Sequence, residues 1–277
     1  MERNYSPLRY PGGKAKLSKT VKCIIESNKI YDSVYIEPFA GGAGVALSLL
    51  FSQYVNEIIL NDINYQLFSF WRTLLDNPEY LLRKINDAKL SIDEWKKQRI
   101  IFKNPERYEQ NKVGFAFFYL NRTNRSGILS AGVIGGYNQS SKYKIDARFN
   151  KEGLIKRIEL INYYREKIQF YNMDTVDFIQ NQKINPQKNY FAYFDPPYFN
   201  KGQDLYTNFY THDDHKKLSQ TIQNKILYNW IMTYDDAPEI RELYKDRFIT
   251  SFNLLYCANE IKIGKELLIT SDSIKMF

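Results

Sequence analysis

The residues of this chain best suited to chemistry are Asp195-Pro196-Pro197-Tyr198. The carboxylate and the main-chain carbonyls around the prolines only accept hydrogen bonds, since proline has no N–H to donate. The Tyr198 ring offers a face on which a flat group stacks. Acceptors beside a stacking ring suit a planar substrate bearing an amine, such as the N6 of adenine. The unbroken apolar run Tyr190-Phe191-Ala192-Tyr193-Phe194 before them predicts a buried strand. Two prolines cannot continue a central strand, so Asp195 falls at its carboxyl end. Open α/β sheets bind their ligands along that edge.

A second set lies nearer the N-terminus. Val34-Tyr35-Ile36 predicts a strand that runs through Glu37-Pro38-Phe39 into Ala40-Gly41-Gly42-Ala43-Gly44. The apolar stretch Val45 to Leu50 predicts a helix, and Glu57-Ile58-Ile59-Leu60 a second strand ending at Asn61-Asp62. This is a βαβ unit with a glycine turn and an acid after its second strand. Glycines let the backbone approach a ligand closely, and an acid at that place commonly grips ribose hydroxyls. A short strand, Ile168 to Tyr171, leads to a further acid, Asp174.

The elements between these sets break the alternation of strand and helix. From Pro78 to Asn111 the pattern is helical and charged, and Trp95-Lys96-Lys97-Gln98-Arg99 reads as a solvated helix face, with a specific DNA contact as the alternative. Val113 to Leu120 is an aromatic helix or strand. Asn121-Arg122-Thr123-Asn124-Arg125-Ser126-Gly127 predicts a polar, basic loop, and Ala131 to Gln139, with Tyr137 and Asn138, is rich in turn signals. Alternation resumes with a helix over 153–164, a helix over 213–224, a strand over 228–234 and strands between Phe248 and Ile269.

A chain of 277 residues with 44% hydrophobic content supports one large α/β domain or a domain with an insert. Its net charge of +8 favours a polyanionic partner without identifying one. Cys23 and Cys257 stand far apart and predict neither a disulfide framework nor a zinc site. His212 and His215 fit the start of a helix after Thr211, as surface residues, and no further ligands accompany them, so no metal is expected. Pro11-Gly12-Gly13-Lys14 departs from the nucleotide-hydrolase phosphate loop. With no signal-peptide core and no apolar run long enough for a bilayer, the expectation is a soluble cytoplasmic protein without membrane contact.

Taken in order, Pro7-Leu8-Arg9-Tyr10-Pro11-Gly12-Gly13-Lys14, the glycine turn with Asp62, Asp174 and Asp195-Pro196-Pro197-Tyr198 resemble the Dam-like, D12-type DNA adenine-N6 methyltransferases over most of the chain. The resemblance implies a Rossmann-like α/β sheet that binds S-adenosylmethionine, formed by residues 1–75 and 151–277, with a target-recognition subdomain inserted at 76–150. Tyr10 and Lys14 would contact the cofactor. Glu37, Phe39 and Gly41 would surround its methionine half, Asp62 its ribose and Asp174 its adenine. Asp195 and Pro196, with Pro197, would accept hydrogen bonds from the target amine and border the cofactor, and Tyr198 would stack on the extruded base. Asn121, Arg122, Asn124, Arg125, Tyr137 and Asn138 are the candidates for contact with double-stranded DNA, the arginines having internal loop hydrogen bonds as their alternative. A cognate restriction endonuclease is a possible partner. The family's loop carries glycine where this chain has Ala43, flanked by Gly42 and Gly44. Related acid-Pro-Pro-aromatic motifs serve cytosine N4, RNA or glutamine methylation, and a DNA-binding protein without activity is the alternative of a different class.

Overall fold

A computed structural model of the chain describes residues 5–9, 17–200, 210–257 and 261–276. Its centre is a seven-stranded sheet of order β3-β2-β1-β4-β5-β7-β6. The strands are β1 (Ser33–Glu37), β2 (Val55–Asn61), β3 (Ile168–Tyr171), β4 (Tyr190–Phe194), β5 (Asn229–Asp235), β6 (Phe248–Cys257) and β7 (Ile261–Thr270). The first five run parallel, and β7 enters antiparallel between β5 and β6. This is the Rossmann-like α/β arrangement.

Every residue of β1 and β4 is buried, as expected of central parallel strands covered on both faces. Their side chains alternate between two cores. Tyr35, Phe191 and Tyr193 join one; Val34, Ile36, Ala192 and Phe194 join the other. Helices α1 (Leu17–Ser27), α2 (Gly44–Phe51), α3 (Tyr65–Asp76), α4 (Pro78–Asn86) and α7 (Lys151–Tyr163) pack into the first core. Helices α8 (Thr175–Asn181), α9 (His212–Lys225) and α10 (Pro238–Leu243) pack into the second.

Polar residues mark where these helices begin. The side chains of Asn64, Asn77, Asn150 and Asp174 cap α3, α4, α7 and α8. Thr211 and Asp214 form a reciprocal capping box on α9.

Between residues 76 and 150 lie α4, α5 (Ile92–Lys103) and α6 (Gln110–Thr123), and none of the seven strands. The ambiguous run Val113 to Leu120 is helical. Helix α6 lies hard against α3: a Cβ at Gly114 would stand 2.5 Å from the Ser69 carbonyl oxygen, and Phe70 stacks on Phe118 at 5.6 Å. The loop expected over 121–127 begins later, because α6 continues through Thr123.

Candidate active site

Parallel strands bring the acids at their carboxyl ends to one edge, and the chain reverses its direction across the sheet between β1 and β4. Asp195 follows β4 and is partly buried. From β5, the Thr233 hydroxyl donates to Asp195 Oδ1 at 3.0 Å. Thr233 Oγ1 also lies 2.8 Å from the Tyr193 hydroxyl. Because threonine has a single hydroxyl proton, Tyr193 is the donor in that pair. Burial, and then the charge of Asp195, push the Tyr193 pKa up and keep its proton in place. Asp195 therefore ends a directed chain of hydroxyls, which polarise one another.

The rest of the motif is held from the same side. The Tyr198 hydroxyl donates to Glu266 of β7; Tyr198 is 5% exposed and Glu266 0%. Asp235 pairs with Glu266 across the β5–β7 ladder, and its two oxygens accept the N–H groups of Phe199 and Asn200, each at 2.8 Å. Thr233, Asp235 and Glu266 were not singled out from the sequence. The one available signal was the acid Glu266 standing directly before the apolar Leu267-Leu268-Ile269 in a strand.

The cofactor candidates lie along β1, β2 and β3. Gly41 and Ala43 both adopt left-handed conformations, φ 47° and 50°. The turn therefore forms with alanine where the family pattern has glycine. Asp62 Oδ2 accepts the Gly41 N–H and Oδ1 the Asn64 N–H, each at 3.0 Å. Burial pushes the Asp62 pKa up, and these two donors oppose it. Each oxygen keeps a second lone pair for an outside hydroxyl. At Gly44 a Cβ would meet nothing within 4 Å, so the turn has open space beside it. Asp174 accepts from Val176 N–H at 2.9 Å. Phe39 is half-buried with its ring 6.0 Å from Tyr210, whose hydroxyl pKa is raised by burial and then by Asp174. Glu37 is turned to the interior: its Oε1 accepts from Tyr35 at 3.1 Å and from the Ala46 N–H at 2.9 Å. Burial pushes its carboxyl up to about 8, and the hydrogen bonds from Tyr35 and Ala46 oppose that rise. Tyr10 and Lys14 lie outside the described residues.

The DNA candidates divide. Asn121 and Asn124 are 2% and 1% exposed, which corrects their reading as base contacts. Asn121 exchanges two hydrogen bonds with the Arg9 backbone, and Asn124 accepts from the Trp95 indole at 2.7 Å. Their amides are used inside the protein, so no donor or acceptor remains directed outward. Arg122 is half-buried and donates to the Arg148 carbonyl. Arg125, Tyr137 and Asn138 are exposed. A further correction concerns His215, 1% exposed instead of on the surface, with Nδ1 2.7 Å from the Tyr234 hydroxyl. Helix α9 turns that face inward onto Phe199 and Tyr210.

The sequence matches the family of D12 class N6 adenine-specific DNA methyltransferases over residues 10–261. The chain belongs to that family. It is similar to the Type II methyltransferase M.MjaIII of Methanocaldococcus jannaschii, 26% identical over 75% of each chain. It is also 22% identical to the Type II methyltransferase M1.LlaDCHI of Lactococcus lactis subsp. cremoris, over 86% of this chain and 84% of the relative. Among solved structures, the rRNA methyltransferase aviRa from Streptomyces viridochromogenes aligns over 94% of this chain and 84% of its own, at 9% identity and a TM-score of 0.35.

The methyltransferase thus acts on the N6 of adenine in DNA, with S-adenosylmethionine as methyl donor. Among the described residues, no group of His, Cys, Asp and Glu is placed to hold a metal, and no helix is long and apolar enough to cross a membrane.

Proposed function

We propose that this DNA adenine-N6 methyltransferase works by base flipping, with Asp195 and Pro196 accepting the target amine and the β1–β2 turn holding S-adenosylmethionine. The carrying observation is the fixed orientation of Asp195, set by Thr233 at the sheet edge. The cofactor set fits its ligand chemically: Asp62 has acceptor capacity for ribose hydroxyls, and the turn at Gly41 and Gly44 leaves room for a backbone-hugging tail. Phe39 and Asp174 border the same turn, as apolar wall and acceptor.

When bound, the cofactor supplies a methyl group on a sulfonium, already a good leaving group. Everything else is positioning and electrostatics. The N6 lone pair is delocalised into the purine. Acceptors at Asp195 and the Pro196 carbonyl, with Pro197 stiffening the turn, draw the two N6–H bonds out of the ring plane and turn the lone pair toward the methyl. After transfer the nitrogen sheds one proton, and Asp195 is the acceptor already bonded to it. Extruding the base costs a few kcal/mol. Stacking on Tyr198 returns roughly 1–3 kcal/mol. Because Tyr198 is 5% exposed, the base must displace groups that now cover the ring.

Residues 1–75 and 151–277 are read as the catalytic domain and 76–150 as the recognition subdomain. The absence of any of the seven strands from 76–150 supports this. Arg125, Tyr137 and Asn138 are its exposed candidates for DNA contact. Both curated relatives are named Type II methyltransferases, which supports a cognate restriction endonuclease as partner. Calorimetry on Asp62→Ala tests the cofactor assignment: weakened S-adenosylmethionine binding with an intact fold is expected, and an unchanged dissociation constant overturns it.

A further inference from the structure

The chain enters α9 through a fixed corner. Asp214 Oδ2 accepts the Thr211 N–H at 2.8 Å, and Thr211 Oγ1 accepts the Asp214 N–H at 3.3 Å. Tyr210, the residue before this cap, packs on His215, the fourth residue of the helix, with ring centroids 5.4 Å apart. That is the spacing of a hydrophobic staple, which sets the angle at which a chain joins its helix. His215 serves in it as an uncharged ring, because burial lowers its pKa to about 4 against the charges of Asp235 and Asp214. Its own place is held by Tyr234, whose hydroxyl lies 2.7 Å from Nδ1.

A staple needs only an apolar side chain, and Tyr210 has further neighbours. Its ring meets Phe39, just past the carboxyl end of β1, edge-on at 6.0 Å. Burial and then Asp174 raise its hydroxyl pKa; Thr175 opposes the rise, and Asp214 and Asp62 add to it. Phe39, Asp62, Asp174 and Thr175 all follow β1, β2 or β3, on the half of the sheet where the cofactor candidates lie. Tyr210 itself comes after β4, on the other side of the point where the strand order reverses. One ring thus reaches over the switch point, where open α/β sheets take their ligands. Tyr210 is half-buried, so part of the ring remains for a ligand.

Aromatic rings bind nucleobases by stacking on their flat faces. The acids past the strand ends offer acceptors to a ribose and an adenine, and a flat ring beside them completes a site for adenosine. We propose that Tyr210 is a cofactor-binding residue whose ring packs against the adenosine half of S-adenosylmethionine, beside Asp62 and Asp174. The proposal rests on the reading of those acids and the β1–β2 turn as the cofactor site. The staple on His215 then serves as pre-organisation: the ring is in place before the ligand arrives, and binding does not have to order it. Tyr210 belongs to no motif legible in the sequence, because its neighbours in the site come from distant strands.

Tyr210→Leu keeps an apolar staple residue and removes the flat face; Tyr210→Phe keeps the face and removes the hydroxyl. Calorimetry measures binding of S-adenosylmethionine, S-adenosylhomocysteine and 5′-methylthioadenosine, the last of which carries the adenosine without the amino acid. Tyr210→Leu is expected to weaken all three by the same factor, roughly tenfold, within the range for a base stacked on an aromatic ring. Tyr210→Phe is expected to bind like the wild type. Undiminished affinity in Tyr210→Leu, a loss confined to the two ligands that carry the amino acid, or an equal loss in Tyr210→Phe overturns the proposal. Tyr210→Trp decides it even where the leucine variant does not fold. Adding 5′-methylthioadenosine is expected to quench the new indole beyond the wild-type change, and emission that changes only as in the wild type overturns the contact. Asp62→Ala, measured alongside, keeps the two readings apart. A weakened Asp62→Ala beside an unweakened Tyr210→Leu removes Tyr210 alone. A wild-type dissociation constant in Asp62→Ala removes the whole site, and Tyr210 with it.

Discussion

Asp195 receives its orientation from a residue on another strand, and that dependence is measurable. Thr233→Val is close to isosteric and removes the hydroxyl that donates to Asp195. A roughly tenfold lower kcat is expected, about 1.4 kcal/mol of transition-state stabilisation, with KM little changed. It also leaves the Tyr193 hydroxyl without this acceptor, at about 1–3 kcal/mol of stability. Thr233→Ser is expected to restore both, and a kcat that stays wild-type in Thr233→Val would contradict the positioning role. At Tyr198 the sequence points to the ring, as a stacking face. The structure adds the hydroxyl, which donates to the fully buried Glu266. Tyr198→Phe is therefore expected to cost about 1–3 kcal/mol in urea denaturation as well as some activity. An unaltered midpoint would show that this bond contributes nothing. Asp195 and Tyr198 were legible because a strand, an acid and two prolines are contiguous in sequence. Thr233 and Glu266 were not, because their contacts depend on the pairing register of β5 with β7.

Single elements carry their own tests. Gly44 begins α2 with no neighbour within 4 Å of a Cβ and without positive φ, so Gly44→Ala is expected to stabilise the fold by about 0.4–1 kcal/mol. The same methyl enters the open space assigned to the cofactor, so S-adenosylmethionine affinity is expected to fall while the melting temperature holds or rises. Undiminished affinity would place the cofactor elsewhere. The βαβ unit behind that turn was readable from apolar periodicity. The end of α6 was misread for a physical reason. Asn121, Thr123 and Asn124 are of types that favour turns, yet contacts with Arg9 and Trp95 from distant segments satisfy the two amides in a buried helix terminus. The antiparallel entry of β7 between β5 and β6 likewise has no local signature.

Over the whole molecule, two buried groups set opposite pH limbs of stability. His215 is lowered from 6.5 to about 4, chiefly by burial. The unfolded chain binds its proton first, so this contribution, roughly 3 kcal/mol, is lost as pH falls through that window. Glu37 is raised from 4.5 to about 8, again chiefly by burial. Here the folded state binds the proton first, so stability is lost as pH rises through its window. The two oppose each other where the windows overlap. His215→Gln is expected to flatten the acid limb and Glu37→Gln the alkaline limb in urea melts across pH; limbs unchanged by these substitutions would contradict the assignments. The central claim, however, is that this sheet edge uses Asp195 to methylate the N6 of adenine in duplex DNA. Its most direct test is a single-turnover assay with methyl-labelled S-adenosylmethionine and unmethylated DNA, the product digested to nucleosides, for wild type and Asp195→Asn. The account predicts label in N6-methyladenine for the wild type and a rate lower by about 10²–10³ for Asp195→Asn, whose amide presents an N–H where the amine needs an acceptor. Label in N4-methylcytosine, or an Asp195→Asn rate equal to the wild type, would contradict it.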